Sequence, residues 1–492
     1  MNDIFNNIIY YFSTFIVCYF IGLNSIYFIL LIFSTPQVFK RARQAELEEE
    51  DLFFYSKPFP PVTIIAPAFN EAPIIEASVT QMMELKYPNF EIVVVNDGSK
   101  DETLEVLINA FDLYLVPAAF QVKIPTSGIK GVYRSHKHEN LMVLDKENGG
   151  KADSLNAGIN ASQFAYFLAL DADTLIAEDA LYRSMAPMIT EKDVVAVGGT
   201  VGVINNCLFR HGRVLKVRFP KNFYAGIQVV EYIRAYLFGR VGWNWLGGNM
   251  VISGAFGLFN KQKVIDCGGY LSDTVGEDLE LTLKLHHIQM KEGRRYKIVS
   301  IPDTVCWTEV PEDRKVLARQ RERWHRGLID SLIRHREMCF NPKYGIIGLF
   351  TYPFFILGEL LAPVIEVAGW ICFPVGLHLG IVDLNFFALF IMASVGLSLL
   401  LTFASILLAQ VAMGRYHSDK DFLKMFLFTV LENFGYRQMT VLWRMNGFIK
   451  YALGSKSWGE MKRIGLKDNQ DKDDELFEGE EKELSEDTKE AS

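Results

Sequence analysis

Two carboxylates separated by one small residue close an apolar run in Tyr166-Phe167-Leu168-Ala169-Leu170-Asp171-Ala172-Asp173. Such a run predicts a buried parallel strand whose carboxyl end opens into a crevice, the place where open α/β sheets bind ligands. Side chains i and i+2 share a side of extended backbone, so Asp171 and Asp173 can address one hard divalent cation, and that cation a pyrophosphate. A polar turn capping the next helix would use the same residues. Five further clusters bear on the choice. Ala66-Pro67-Ala68-Phe69-Asn70-Glu71 and Asn96-Asp97-Gly98-Ser99 each follow an apolar run, and Gly149-Gly150-Lys151-Ala152-Asp153 sets flexible backbone and a cation at a helix start, a natural anion seat. Gly276-Glu277-Asp278-Leu279 places an acid pair at another helix start, and Gln320-Arg321-Glu322-Arg323-Trp324 combines hydrogen bonding, charge and an aromatic plane. Singly, each has a structural reading as a turn, a dipole complement or a solvated face. Together they ask for one explanation.

The elements that must position these residues are legible in the periodicity. Val62–Ala66 reads as a first buried strand, Ile74–Leu85 as a helix, Phe90–Val95 as a second strand and Asp101–Phe111 as a helix. Residues 111–134 read as irregular, Leu141–Leu144 as a third strand, and a helix follows from Gly149 through Ile159. The strand before Asp171 is then the fourth. Strands alternating with helices imply a parallel sheet with right-handed crossovers. Beyond it, Val194–His335 alternates short strands, aromatic loops and amphipathic helices, ending in a basic helical stretch, Arg314–Arg336. Ser253–Gly257 reads as a loop of close approach; Trp243 and Trp245 could flank it or pack in a core.

The chain has 492 residues, half of them apolar, enough for more than one unit and for membrane segments. A net charge of −8 argues against a nucleic-acid partner, and much of the acid is concentrated in 471–490, a solvated end too poor in apolar residues to fold. Six scattered cysteines without a C-x-x-C pair suggest neither a disulfide framework nor a zinc site, and fit a reducing compartment. Ile8–Phe33 is uncharged over roughly 26 residues, longer than a signal-peptide core, and is expected to span a membrane. Lys40, Arg41 and Arg43 then place the following chain in the cytoplasm. Leu360–Leu379 and Phe386–Gln410 are further candidate spans, with Glu359 and Glu366 either lining a polar route or paired with Arg437 or Arg444. Phe422–Tyr451 carries too much charge for a simple span and reads as interfacial or re-entrant.

With an Asp-Gly loop, a D-x-D, an acid pair and a Q-x-x-R-W in this order, the chain resembles the membrane-integrated family-2 glycosyltransferases, which include cellulose, hyaluronan and poly-N-acetylglucosamine synthases. The resemblance runs from about Val62 to Gly327, with membrane segments on either side. It implies an α/β fold of GT-A type: a nucleotide-sugar-binding domain with a mostly parallel sheet, plus N- and C-terminal transmembrane helices. The corresponding division is 1–45, N-terminal transmembrane helix and basic flank; 58–340, cytosolic catalytic domain; 341–465, interfacial and transmembrane helices; and 466–492, acidic tail. The resemblance further implies that Asp97 and the loop of Ala68, Asn70 and Glu71 hold the uridine and that Lys151 sits by the nucleotide. Asp171 and Asp173 would engage the diphosphate with Mg²⁺ or Mn²⁺. Asp278 would be the base, with Glu277, Gln320, Arg323 and Trp324 where diphosphate and acceptor meet.

Chemistry agrees. Charge on a departing diphosphate needs cations such as a metal ion and Arg323, a sugar hydroxyl needs a base such as Asp278, and a single displacement inverts an α-linked donor to a β-glycoside. The expected enzyme is an inverting, multi-pass inner-membrane transferase. It would use a UDP-sugar, UDP-GlcNAc or UDP-glucose, to extend a glycan at the bilayer. Single transfer to a glycolipid acceptor and a silent nucleotide-sugar-binding scaffold are the rival readings; export partners are not specified by the sequence. Three or four membrane segments, a long insert at 111–144 and the want of a nucleotide-sensing domain after Asp468 set it apart from cellulose synthases.

Overall fold

The chain begins with a long helix, α1 (Asn2–Glu48), and then alternates β1 (Val62–Ala68), α2 (Ile75–Met83), β2 (Phe90–Asn96), α3 (Thr103–Phe111), β3 (Leu113–Val116), β4 (Ile129–Ser135), β5 (Leu141–Lys146), α4 (Lys151–Ala161) and β6 (Tyr166–Leu170). There follow β7 (Leu175–Ile176), α5 (Ala180–Thr190), β8 (Val194–Val203), a hairpin of β9 (Leu208–Arg210) and β10 (Arg213–Lys216), α6 (Phe223–Leu237), β11 (Phe256–Asn260), α7 (Lys261–Asp266), α8 (Glu277–Lys291), β12 (Lys297–Thr308) and α9 (Arg314–Arg334). This computed structural model describes residues 2–48, 59–117, 119–210, 213–413 and 418–454; the acidic linker after Glu48 and the tail 466–492 lie outside the described residues.

Ten strands form one sheet in the order β3-β4-β5-β2-β1-β6-β11-β8-β12-β7. Its centre, β5-β2-β1-β6, is parallel, as the alternation of strands and helices requires. Toward the flanks β3, β4, β7 and β11 join by antiparallel pairing while β8 and β12 pair parallel, so the sheet is mixed rather than mostly parallel. Residues 111–134, expected to be irregular, contribute the edge hairpin β3–β4. Its strands are short and half-exposed, with Tyr114 and Leu115 facing outward and Gly131 mid-strand, which weakens the apolar signature of a central strand.

Ile64, Ile92 and Val94 pack on one face of the central strands, and Ile65, Val93 and Val95 on the other. Burial on both faces is why these strands appear in the sequence as unbroken apolar runs. The chain steps outward from β1 to β2 and β5, then returns by α4 to place β6 on the far side of β1, so the order reverses between β1 and β6. Ligands bind at such a switch point. β11 starts where β6 ends, with Phe256 opposite Leu170, which carries the Ser253–Ala255 loop to the side of Asp171.

Helices α8 and α9 meet at two glycines. A Cβ on Gly327 would stand 3.0 Å from the Gly276 Cα, and one on Gly276 would stand 2.9 Å from the Gly327 Cα. Gln320, Arg323, Trp324 and Gly327 share one face of α9 by their i, i+3, i+4, i+7 spacing. The glycine contact therefore aims the whole motif at the start of α8. Further along, His335 of the α9 terminus lies 3.2 Å from Glu280 of α8.

Among the described residues, two helical stretches, Ile4–Arg43 and Leu384–Val411, are long and apolar enough to cross a membrane; Ile347–Leu360 with Ala362–His378 adds a third if that pair, bent by 47°, is one span. The expected span at 360–379 is thus the second limb of a bent pair. The Phe422–Tyr451 stretch is broken: helix Asp419–Leu431 gives way to non-helical backbone at Phe434 and Gly435 before helix Arg437–Ala452. That last helix lies along α9, where a Cβ on Gly447 would stand 3.1 Å from the His325 Cβ, and Asn446 and Lys450 both bond Glu322.

A methyl group added at Gly327 meets backbone that cannot rotate aside. Gly327→Ala is expected to destabilise the protein by about 1–3 kcal/mol, as overpacked cores do. The effect would be a drop of a few degrees in Tm in detergent; an unchanged Tm would show that the two helices have room to separate.

Candidate active site

At the carboxyl end of β1 the chain turns through Asn70, held in the left-handed region at φ 56°. Its side chain accepts from Lys100 N at 2.8 Å, while the amides of Asn70 and Glu71 donate to Ser99 Oγ and Thr103 Oγ1. Ala68, Asn70 and Glu71 are thus fixed against the turn that follows β2. Asp97, in that turn, is buried and spends its carboxylate on the protein. One oxygen accepts from Lys146 Nζ at 2.6 Å and Gly149 N at 2.9 Å, the other from Gly150 N at 2.8 Å and Asn148 Nδ2 at 3.2 Å. Lys146, fully buried at the end of β5, also pairs with Asp153 at 2.7 Å. Asp97 therefore shapes the 148–150 loop that opens α4. Its position along the cavity wall is compatible with the uridine contact that resemblance implies, but the bonds it makes here are all to the chain itself.

Lys151, first residue of α4, reaches across to pair with Asp171 and to donate to the Gly254 carbonyl at 3.1 Å, with Glu277 3.9 Å away. Burial works to lower the Lys151 ammonium, but Asp171, Glu277 and Asp278 outweigh it and hold it above the ordinary lysine value. Burial pushes the Glu277 carboxyl up, Lys151 pulls it down, and Asp278 adds to the rise; the result is above the ordinary glutamate value of 4.5. Asp278 Oδ2 accepts from Gly254 N at 2.9 Å. A side chain at position 254 would be a tight fit: its Cβ would stand 3.2 Å from Asp278 Oδ2 and 3.3 Å from Lys151 Nζ, so one of them would have to shift. The expected close-approach loop thus ties the cation of α4 to the acid of α8.

These residues line one cavity of about 2050 Å³, together with Asp173, Gln320, Arg323 and Trp324. Drug-sized pockets occupy roughly 300–1,000 Å³, so there is room for two bodies side by side. Asp171, Asp278 and Trp324, spread over about 150 residues of sequence, face the same space. The Gln320 Oε1 is buried without a hydrogen-bond partner, and Trp324 leaves 42% of its surface open to the cavity. Trp243 is instead buried against Phe354 and Phe355, and Trp245 stacks on Phe33 at 4.8 Å, so neither tryptophan lines the cavity.

Sequence reading missed Lys146 and Asn148, each of which organises the site. A buried lysine at a strand end just before Gly-Gly was the available signal, since an apolar environment tolerates that charge only with carboxylate partners. It also missed Glu231, on α6. Toward the apolar helices the cavity is lined by Arg–carboxylate pairs: Arg234 with Glu432 at 2.6 Å, Arg437 with Glu366 at 2.7 Å, and Arg444 with Glu359 at 3.7 Å. Glu359 and Glu366 therefore do both things the sequence left open, pairing with arginines while facing the cavity.

Asp171 and Asp173 offer hard oxygens to a divalent ion. Among the described residues no set of three or more His, Cys, Asp or Glu is arranged to hold one. Mg²⁺ and similar ions commonly take one or two carboxylates and complete their shell with substrate phosphate and water. The pair fits that pattern.

Residues 63–124 match glycosyl transferase family 2, and residues 166–430 match glycosyl transferase family group 2. The chain is 29% identical over 299 residues to the poly-beta-1,6-N-acetyl-D-glucosamine synthase of Staphylococcus aureus, the match covering 60% of each chain. It is 27% identical over 274 residues to the synthase of Staphylococcus epidermidis, covering 56% of each. The match thus spans less than two thirds of the length of these relatives. Among solved structures, a mannosyltransferase from Pyrobaculum calidifontis in complex with GDP-Man and Mn²⁺ is 18% identical, with a TM-score of 0.44, covering 88% of this chain and all of the other.

The raised Glu277 carboxyl gives a pH signature. A carboxyl raised by folding contributes stability that is complete below the unfolded value and is lost as pH rises through the folded one. Lys151, also raised, loses its contribution only above the ordinary lysine value of 10.5, outside this window. The Tm of Glu277→Gln relative to the parent is therefore expected to climb as pH rises from about 4.5 toward neutrality. A difference independent of pH would show that folding leaves this carboxyl where an exposed glutamate lies.

Proposed function

Because the chain belongs to glycosyl transferase family group 2, which matches more than half of it, and is a glycosyltransferase, we propose that it transfers a sugar from a UDP-sugar to a growing β-glycan with inversion. UDP-GlcNAc is the favoured donor, since the relatives matched here are named poly-beta-1,6-N-acetyl-D-glucosamine synthases. The observation that carries the reading is the single cavity shared by Asp171, Asp278 and Trp324. The catalytic domain, 58–340, would face the cytoplasm, with the helices of 1–45 and 341–465 holding it at the membrane.

In this reading the nucleotide lies along Ala68, Asn70, Glu71 and Asp97, at the switch point of the sheet. Lys151 and Arg323 bring positive charge to the diphosphate as it departs. Asp171 and Asp173 would hold Mg²⁺ or Mn²⁺, which when bound supplies Lewis-acid stabilisation of the leaving group. Asp278, oriented by the Gly254 amide, accepts the proton of the acceptor hydroxyl as that oxygen attacks the anomeric carbon. The C–O bond to UDP breaks as the new glycosidic bond forms, so no protein nucleophile is needed. Trp324 offers its open face to the acceptor ring, with Glu277 and Gln320 beside it.

Purified protein in detergent, given Mn²⁺ and a panel of UDP-sugars, is expected to release UDP from one donor above all. Asp278→Asn should lower that release by about 10²–10⁴-fold, the usual worth of a general base, while UDP binding persists. Equal release by mutant and parent would remove Asp278 as the base, and no release from any donor would favour a silent scaffold. Sizing the product separates a polymer from a single sugar on lipid.

A further inference from the structure

The Arg321 guanidinium, between Gln320 and Arg323 in sequence, does not join them at the diphosphate side of the cavity. It pairs with Glu231 of α6 at 2.5 Å and lies over the Trp324 ring, its Cζ 4.5 Å from the ring centroid. Glu231 also accepts from the Tyr436 hydroxyl at 3.0 Å, and Arg321 stands 3.5 Å from that hydroxyl. Arg321 is nearly buried, with 11% of its side chain exposed, and Tyr436 is buried almost completely. Three elements far apart in sequence thus converge on the guanidinium that lies over Trp324: α6 through Glu231, α9 through Arg321 itself, and the broken helix through Tyr436, immediately after the non-helical pair Phe434 and Gly435. Trp324 itself lines the cavity and is 42% exposed.

We infer that Glu231, Arg321 and Tyr436 form a clamp that fixes the plane of Trp324, so that an acceptor sugar is held for attack rather than displaced by water. A planar guanidinium is suited to this as a lysine is not, because it stacks on an aromatic face while keeping in-plane N–H groups for a carboxylate. Fixing the reacting hydroxyl matters because misplacement by about 1 Å can cost on the order of a hundredfold in rate. Tyr436 ties the platform to the break in the last helices, so the seat of the acceptor follows the position of the segment beside the membrane. These are positioning residues, and the inference rests on the donor and acceptor reading given above.

Loosening the clamp should change what the sugar is transferred to. The experiment measures, for each variant with the donor chosen by the panel, the fraction of released UDP matched by free monosaccharide rather than by glycan-bound sugar. Glu231→Gln and Arg321→Lys are expected to raise the free-sugar fraction by about three- to tenfold, the range a lost cation–π contact supports. The Kd for UDP, read by calorimetry, should stay within about twofold of the parent. Glu231→Asp, which keeps the charge, should recover most of the coupling. Tyr436→Phe removes one hydroxyl and serves where a charge change impairs folding; it should show the same shift, more weakly. An unchanged partition in variants that bind UDP normally would overturn the clamp and leave the transferase reading intact. A parent that neither binds UDP nor releases it from a UDP-sugar would overturn both.

Discussion

The close approach of Gly276 and Gly327 governs how the site is assembled. Two helices whose backbones nearly touch have no freedom to slide, and each carries its polar residues at a fixed distance from the contact. On α8 the acids Glu277 and Asp278 follow Gly276 directly. On α9, Trp324, Arg323 and Gln320 lie three, four and seven residues before Gly327 on the same face. Interlocking at the glycines therefore sets acid against arginine and indole. Residues at the carboxyl edge of the sheet and residues on α9 become walls of one cavity.

The two lysines buried at the site each carry more than one oxygen partner. Lys146 has Asp97, Asp153 and the Glu147 carbonyl; Lys151 has Asp171, the Gly254 carbonyl and Glu277. A buried ammonium without such partners would be too costly to keep ionised. The two lysines do different work. Lys146 is closed off from the cavity and fixes the loop before α4, whereas Lys151 is open to it, in a nest of three acids whose mutual repulsion it offsets. That arrangement suits a site that receives a strongly anionic ligand, because the added negative charge has a cation waiting and a carboxylate pair able to share a metal ion with it.

The same cavity continues past Arg321 and Arg234 to Arg437 and Arg444, among helices whose outer faces are apolar. Paired arginines and glutamates at that depth give a polar lining without net charge. A neutral, hydroxyl-rich ligand finds hydrogen-bond partners along such a wall and no strong trap. The broken helix before Arg437 supplies Tyr436 and the Glu432 that pairs with Arg234, so its irregular backbone lies where it lines a cavity, the setting in which membranes tolerate such breaks.

Sequence by itself determined what depends on neighbours along the chain. Apolar runs such as Ile64-Ile65 and Val93-Val94-Val95 announced strands buried on both faces, Asp171-Ala172-Asp173 announced a strand end with paired acids, and the uncharged stretch from Ile8 announced a membrane helix. Order and spacing of the motifs were enough to indicate the chemistry. Tertiary structure alone decided what depends on contacts across the fold. The edge hairpin at Leu113–Val116 and Ile129–Ser135 owes its pairing to β5 and has little pattern of its own. Asp97 turned inward because Lys146, whose burial no local pattern reveals, needed carboxylates. Arg321 turned away from its neighbours because Glu231, ninety residues earlier, offered it a partner. The physical reason is the same in each case: hydrophobic periodicity is a local property of the chain, whereas a buried charge or a glycine contact is defined by whatever lies opposite, and that is known only once the chain has folded.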